Sequence, residues 1–176
     1  MRRIILTFAM VLFAVATFAQ TQYDLEFTQT RVIKASGKTT NKAGHLTFDG
    51  KDQLSMVYSE PEGEYFHIEG NKVKINLDGK KAELNADKVK MVKLQRSTLL
   101  NCISGNWEQA AIDNNAETTV EEANGLRHVI IKAKGKAPRG GYSSVDLTYR
   151  MSDGMLVKMI LEEANGIVNT YEMMVQ

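Results

Sequence analysis

The chain contains a single cysteine, Cys102, so an internal disulfide is excluded and the fold must be held by its core. It has only two prolines, Pro61 and Pro138. Its one extended apolar run, Ile4 to Phe18, is shorter than the roughly 20 residues a membrane-spanning helix needs. Two arginines precede that run, and Ala19 and the polar Gln20 follow it. This is the layout of a cleaved signal peptide over residues 1–19, and it predicts an exported, periplasmic protein. No cysteine follows the apolar run, so lipid attachment there is not expected. Charge of one sign is missing too. Without Arg2 and Arg3 the 22 basic residues fall to 20 against 21 acidic ones. Such a body offers no electrostatic footprint for nucleic acid or an anionic membrane.

What remains is a chain of about 150 residues, long enough to bury its own core as one domain over 20–176. Its dominant signal is alternation of period two, the mark of strands with one apolar face. In YDLEFTQTRVI the phase groups Tyr23, Leu25 and Phe27. In GHLTFDGKDQLSMVYSEP it groups Leu46 with Phe48, then Leu54, Met56 and Tyr58, around an Asp49-Gly50 turn. EYFHI, KVKINL and KKAELNA follow, punctuated by Glu62-Gly63, Gly70-Asn71 and Asp78-Gly79. Short spacings with such turns predict an antiparallel meander.

The period changes in STLLNCISGNWEQAAI, where Leu99, Ile103 and Trp107 share a helical stripe broken by Gly105. One or two short helices are expected, with Ser97 or Thr98 as N-cap. Strands resume at LRHVIIKAK, SSVDLTYRM, MLVKMILEE and IVNTYEMMV, with Pro138 to Gly141 read as a turn. Nine to eleven strands with one apolar face must curl around something. Met56, Met151, Met159 and Met173 fall in the alternating set, and methionine suits a surface that accepts variable apolar shapes.

Catalytic signals are thin. Cys102 has no basic neighbour in sequence and sits on a half-apolar helix, which predicts a buried, inert thiol. His45, His67 and His128 stand singly, without ligand spacing. Glu121-Glu122 and Glu162-Glu163 are expected to be solvated charges at strand ends. No catalytic residue, metal or cofactor is implied.

The order of the motifs resembles the outer-membrane lipoprotein carrier (LolA/LolB-like) family. The resemblance lies in Phe27-Thr28-Gln29, Gly44-x-Leu46-x-Phe48 with Tyr58-x-x-Pro61, and Glu69-Gly70-Asn71-Lys72-Val73. LLNCISGN and LTYRMSDGMLVKMILEEANGIVNTYEM complete it. It implies a mainly β fold: an incomplete, strongly curved antiparallel barrel with short helices as a lid over an apolar cavity. It further implies a soluble, monomeric periplasmic carrier of lipoprotein acyl chains, with inner- and outer-membrane transport components as partners. Two features depart from the family pattern. Lys51 stands where the family has a lid-locking arginine, and the helix that usually precedes the Phe-Thr-Gln strand has no room here.

The cavity walls expected from phase are Phe27, Leu46, Phe48, Met56, Tyr58, Phe66, Ile75, Leu77, Leu147, Tyr149, Met159, Leu161 and Tyr171, with Leu100, Ile103 and Trp107 as lid contacts. The alternatives are an envelope-stress regulatory domain that binds a protein partner, and a structural domain whose interior is filled by its own side chains.

Overall fold

A computed structural model describes residues 22–137 and 141–174. The predicted signal peptide and most of the Pro138–Gly141 turn lie outside them. The elements are β1 (Tyr23–Ile33), β2 (Lys38–Phe48), β3 (Gln53–Glu60), β4 (Tyr65–Glu69), β5 (Lys72–Leu77), β6 (Lys80–Asn85), α1 (Lys90–Ile103), α2 (Trp107–Asp113), β7 (Ala116–Ala123), β8 (Leu126–Ala133), β9 (Tyr142–Arg150), β10 (Leu156–Glu163) and β11 (Ile167–Met173). All eleven strands form one antiparallel sheet in the order β6-β5-β4-β3-β2-β1-β11-β10-β9-β8-β7. Every neighbour in that order is also a chain neighbour except β1 and β11, which join the two meanders. The fold is therefore the expected mainly β, unclosed barrel.

Alternation determines which face turns inward. In β1, Tyr23, Leu25 and Phe27 are buried while Asp24 and Glu26 are exposed. The same phase buries Leu46 and Phe48 on β2 and Leu54, Met56 and Tyr58 on β3. The phase is preserved across strands because the registers place Leu25 opposite Leu46, and Leu46 opposite Met56.

Gly44 sits beside a bulge in the β2–β3 pairing. A Cβ built there would lie 2.3 Å from the Val57 carbonyl oxygen and 2.9 Å from the Tyr58 Cα. Only glycine lets those backbones meet.

The helices occupy the seam of the open barrel. They follow edge strand β6 and precede edge strand β7 in the chain. α1 touches β6, and α2 rests on β7 and β8. α1 is longer than the sequence stripe suggests. It begins at Lys90 with Val89 at the N-cap, so Ser97 and Thr98 are not caps. Thr98 is buried mid-helix, and its hydroxyl donates to the Leu94 carbonyl at 2.8 Å. The extra turns carry Val92, two helical turns before Leu99, and both face inward among charged neighbours that obscure the pattern. β7 carries no apolar alternation, because its residues are exposed on both faces apart from half-buried Ala116 and an edge strand needs no apolar phase.

Candidate functional site: an apolar cavity with a polar end

Half of the concave face is filled. Tyr149 donates from β9 to the Cys102 carbonyl of α1 at 2.6 Å, and Ala110 and Ala111 of α2 are buried. Phe27, Leu46, Phe48, Leu147 and Tyr149 pack in this filled half or beside it, as does Leu100. These six, with half-buried Trp107, are core residues and do not line the open space. Charging Phe48 or Trp107 would therefore test folding rather than binding.

The other half encloses a cavity of about 450 Å³. Met56, Tyr58, Phe66, Ile75, Leu77, Ile103, Met159, Leu161 and Tyr171 line it. Leu54, Val73, Ala82, Leu84 and Tyr142 join them from the sheet, and Val92 and Leu99 from α1. Phe66, Ile75, Leu77, Leu84 and Leu99 are only half-buried, so this lining is incompletely covered by protein. Of the four methionines, Met56 and Met159 reach the cavity; Met173 is core and Met151 is exposed.

One end of the cavity is polar. The β5–β6 hairpin turns on Asp78 and Gly79, both at positive φ (51° and 73°), the geometry of a two-residue hairpin loop. That turn aims the Asp78 carboxylate across the concave face. Its Oδ2 accepts from Arg31 Nη1 of β1 at 2.6 Å, and its Oδ1 accepts from Lys42 Nζ of β2 at 2.8 Å. Lys42 also donates to Glu64, and its side chain is only 5% exposed. Burial opposes the Lys42 charge, yet hydrogen bonds to Asp78 and Glu64 raise its pKa above the ordinary lysine value. The hydrogen bond from Lys42 in turn holds the Asp78 carboxyl below its usual range.

A belt of neutral hydrogen bonds continues across the floor. Tyr58 donates to Gln29 Oε1 at 2.8 Å, and Gln29 Nε2 donates to Asn169 Oδ1 at 3.0 Å and to the Tyr171 hydroxyl at 3.2 Å. Asn169 Nδ2 reaches Glu163 Oε1 at 3.2 Å. Burial pushes Tyr171 up to about 12 and Tyr58 higher still, so both phenols are neutral. Glu163 thus borders the cavity instead of standing as a free strand-end charge, because it follows Leu161 by two residues on β10 and shares its face.

Sequence reasoning missed this polar end because it selected inward positions by hydrophobicity. The phase itself contained the signal. Gln29 and Arg31 continue Tyr23-Leu25-Phe27, Lys42 precedes Gly44-Leu46-Phe48, and Asn169 shares phase with Tyr171 and Met173.

α1 closes the cavity from above and is tied to the sheet rim at the opposite end. Arg96 Nε donates to the Gly70 carbonyl in the β4–β5 turn. Lys51 takes no part in that contact. It lies exposed in the Asp49 turn, where its backbone N–H donates to Asp49 Oδ1 at 2.8 Å. The histidines lie outside the cavity: His45 is bracketed by Asp24 and Glu26, His67 stacks on Tyr65, and His128 meets Thr148. Cys102 is fully buried, and burial pushes its thiol up to about 12.

No family model matches the chain, and no curated protein matches it. Solved structures do. A LolA superfamily protein from Nitrosomonas europaea is 10% identical, with 90% of this chain and 86% of that chain covered at a TM-score of 0.41. The lipoprotein LppX from Mycobacterium tuberculosis is 12% identical over 86% of this chain and 85% of that chain, at a TM-score of 0.33. In the MucA/MucB complex of Pseudomonas aeruginosa the match is 8% identical, covering 85% of this chain and 50% of that chain at a TM-score of 0.43.

Proposed function

We propose that the protein is a carrier that holds an acyl chain in this cavity, and that the chain belongs to a lipid or to a lipoprotein bound for the outer membrane. The observation that carries the reading is the cavity itself, about 450 Å³ beneath α1 and walled by Met56, Phe66, Ile75, Leu77, Leu99, Met159 and Leu161. An apolar hole of roughly 150 Å³ accepts one benzene, so this one has room for on the order of 18 carbon atoms. That is one acyl chain. β5, which runs along the cavity, has 6 residues and spans roughly 20 Å, a matching length. Each buried methylene contributes roughly 0.8 kcal/mol, so adaptable apolar walls suffice.

A structural domain would fill its interior, and this interior is open on one side of the barrel. The carrier reading places the protein in the periplasm, between the membranes, where acyl chains need shelter from water. Among the described residues no helix is long and apolar enough to cross a membrane.

Uptake of a fluorescent fatty acid tests the reading. Ala82, small, exposed and on the cavity wall, is the place to plug it. The protein should bind the probe with micromolar or better affinity, and Ala82→Trp should weaken binding at least tenfold at unchanged stability. Absence of uptake by the unmodified protein, or equal uptake by the plugged variant, would overturn it.

A further inference from the structure

At the polar end of the cavity every carboxylate oxygen already accepts a hydrogen bond, while two cationic side chains keep donors without an acceptor. Both Asp78 oxygens are taken, by Arg31 and Lys42. Both Glu64 oxygens are taken, by Lys42 and by the Asp78 backbone N–H at 2.8 Å. Both Glu163 oxygens accept from side-chain amides, those of Asn169 at 3.2 Å and Asn165 at 3.0 Å. The donors tell the opposite story. Arg31 Nε is buried and has no acceptor. Among the described residues Lys80, which borders the cavity two positions after Asp78, pairs with no carboxylate.

A buried guanidinium N–H left without an acceptor is costly, since its desolvation is not offset by a bond made in the fold. An oxygen brought against the Arg31 side chain, which is 31% exposed, would offset that cost. At this end Arg31, Lys42 and Lys80 face Asp78, Glu64 and Glu163, and among the described residues Lys80 is the cation that no carboxylate there meets. The apolar walls lead directly into this end, because Leu77 on the wall is the residue before Asp78.

We infer that the cavity takes a single-chain amphiphile whose head group is an anionic oxygen acid, seated between Arg31 and Lys80, with its tail along β5 toward α1. This rests on the acyl-chain reading and adds the head group to it. A guanidinium and an ammonium around one oxyanion give charge-assisted hydrogen bonds, the strong kind. A carboxylate and a phosphate monoester share that chemistry. A neutral ester of the same chain does not.

The test is competition against a fluorescent fatty acid on the whole mature chain, with palmitic acid, methyl palmitate and palmitoyl lysophosphatidic acid, at a pH where the acids are ionised. Palmitate should displace the probe at least about tenfold more effectively than its methyl ester, the gain expected for a charge-assisted bond. Arg31→Gln should bring the acid-to-ester ratio toward one. Lys80→Gln, at an exposed site where folding is not at risk, should lower it several-fold. Preference for palmitate over the lysophosphatidic acid assigns the head to a free fatty acid; the reverse preference assigns it to a phospholipid. Equal displacement by acid and ester, unchanged in both variants, would overturn the head-group site and leave the acyl-chain reading standing. Failure of all three to displace the probe, or of the probe to bind, would overturn both.

Discussion

Asp78 accepts a hydrogen bond from Arg31 at 2.6 Å, although the strand that leads into Asp78 is four places from the strand that carries Arg31 in the sheet order. Laid flat, four strand spacings would separate them by roughly 19 Å. The contact is therefore a direct record of how tightly the sheet curls, and it closes the polar end of the cavity. Lys42, held by the same carboxylate, is what makes the contact costly to lose.

Asp78→Asn should lower stability by roughly 1–2 kcal/mol, between the values for exposed and buried ion pairs, because Asp78 is 45% exposed and Lys42 only 5%. The hydrogen bond from Lys42 depresses the Asp78 carboxyl in the fold. Its contribution is thus present above the unfolded carboxyl pKa of about 3.9, and is lost as pH falls through the lower folded value. Urea midpoints of the two proteins should differ at neutral pH and converge as the pH is taken below the ordinary carboxylate range. A gap that stays constant down to acid pH would contradict this.

Gly44→Ala should cost roughly 2–3 kcal/mol, because the new methyl meets backbone atoms of Val57 and Tyr58 that cannot rotate away. Thermal unfolding measures it. A shift within about 0.5 kcal/mol would mean that the β2–β3 bulge adapts freely. The glycine that anchors the Gly44-x-Leu46 motif is thus required by packing, whatever the cavity holds.

Arg96→Gln removes the one side-chain bond from α1 to the Gly70 carbonyl. Stability should fall by about 1 kcal/mol or less. Release of a bound fatty-acid probe, followed by stopped flow, should quicken several-fold. Arg96→Lys should not restore the slow rate, since a lysine ammonium cannot reproduce the Nε–H geometry of the guanidinium. Identical release rates in all three proteins would show that the Arg96 bond does not hold the cavity shut.

The sheet was legible in the sequence because period-two alternation and turn residues report strands and reversals directly. Their number implied a sheet that must curl; that it stays an unclosed barrel was what the resemblance to the lipoprotein-carrier family implied. The cavity was only half legible. Phase told which side chains face inward, as for Met159 and Leu46 alike, but not which inward residues are covered by the helices and which are left open. That division depends on where α1 and α2 dock, and the first two turns of α1 were hidden by lysines around Val92. Gln29, Arg31, Lys42 and Asn169 were missed for a different reason. They are polar residues at inward positions, bonded to partners up to 140 residues away that no local pattern reveals.

The most direct test of the central claim is native mass spectrometry of the protein purified from its own cells without detergent, followed by organic extraction. The account predicts a fraction of molecules carrying an extra mass that extraction removes, identified as a species with one acyl chain in the cavity. A population that is entirely empty, and that remains empty after incubation with palmitate or an acylated peptide, would contradict it.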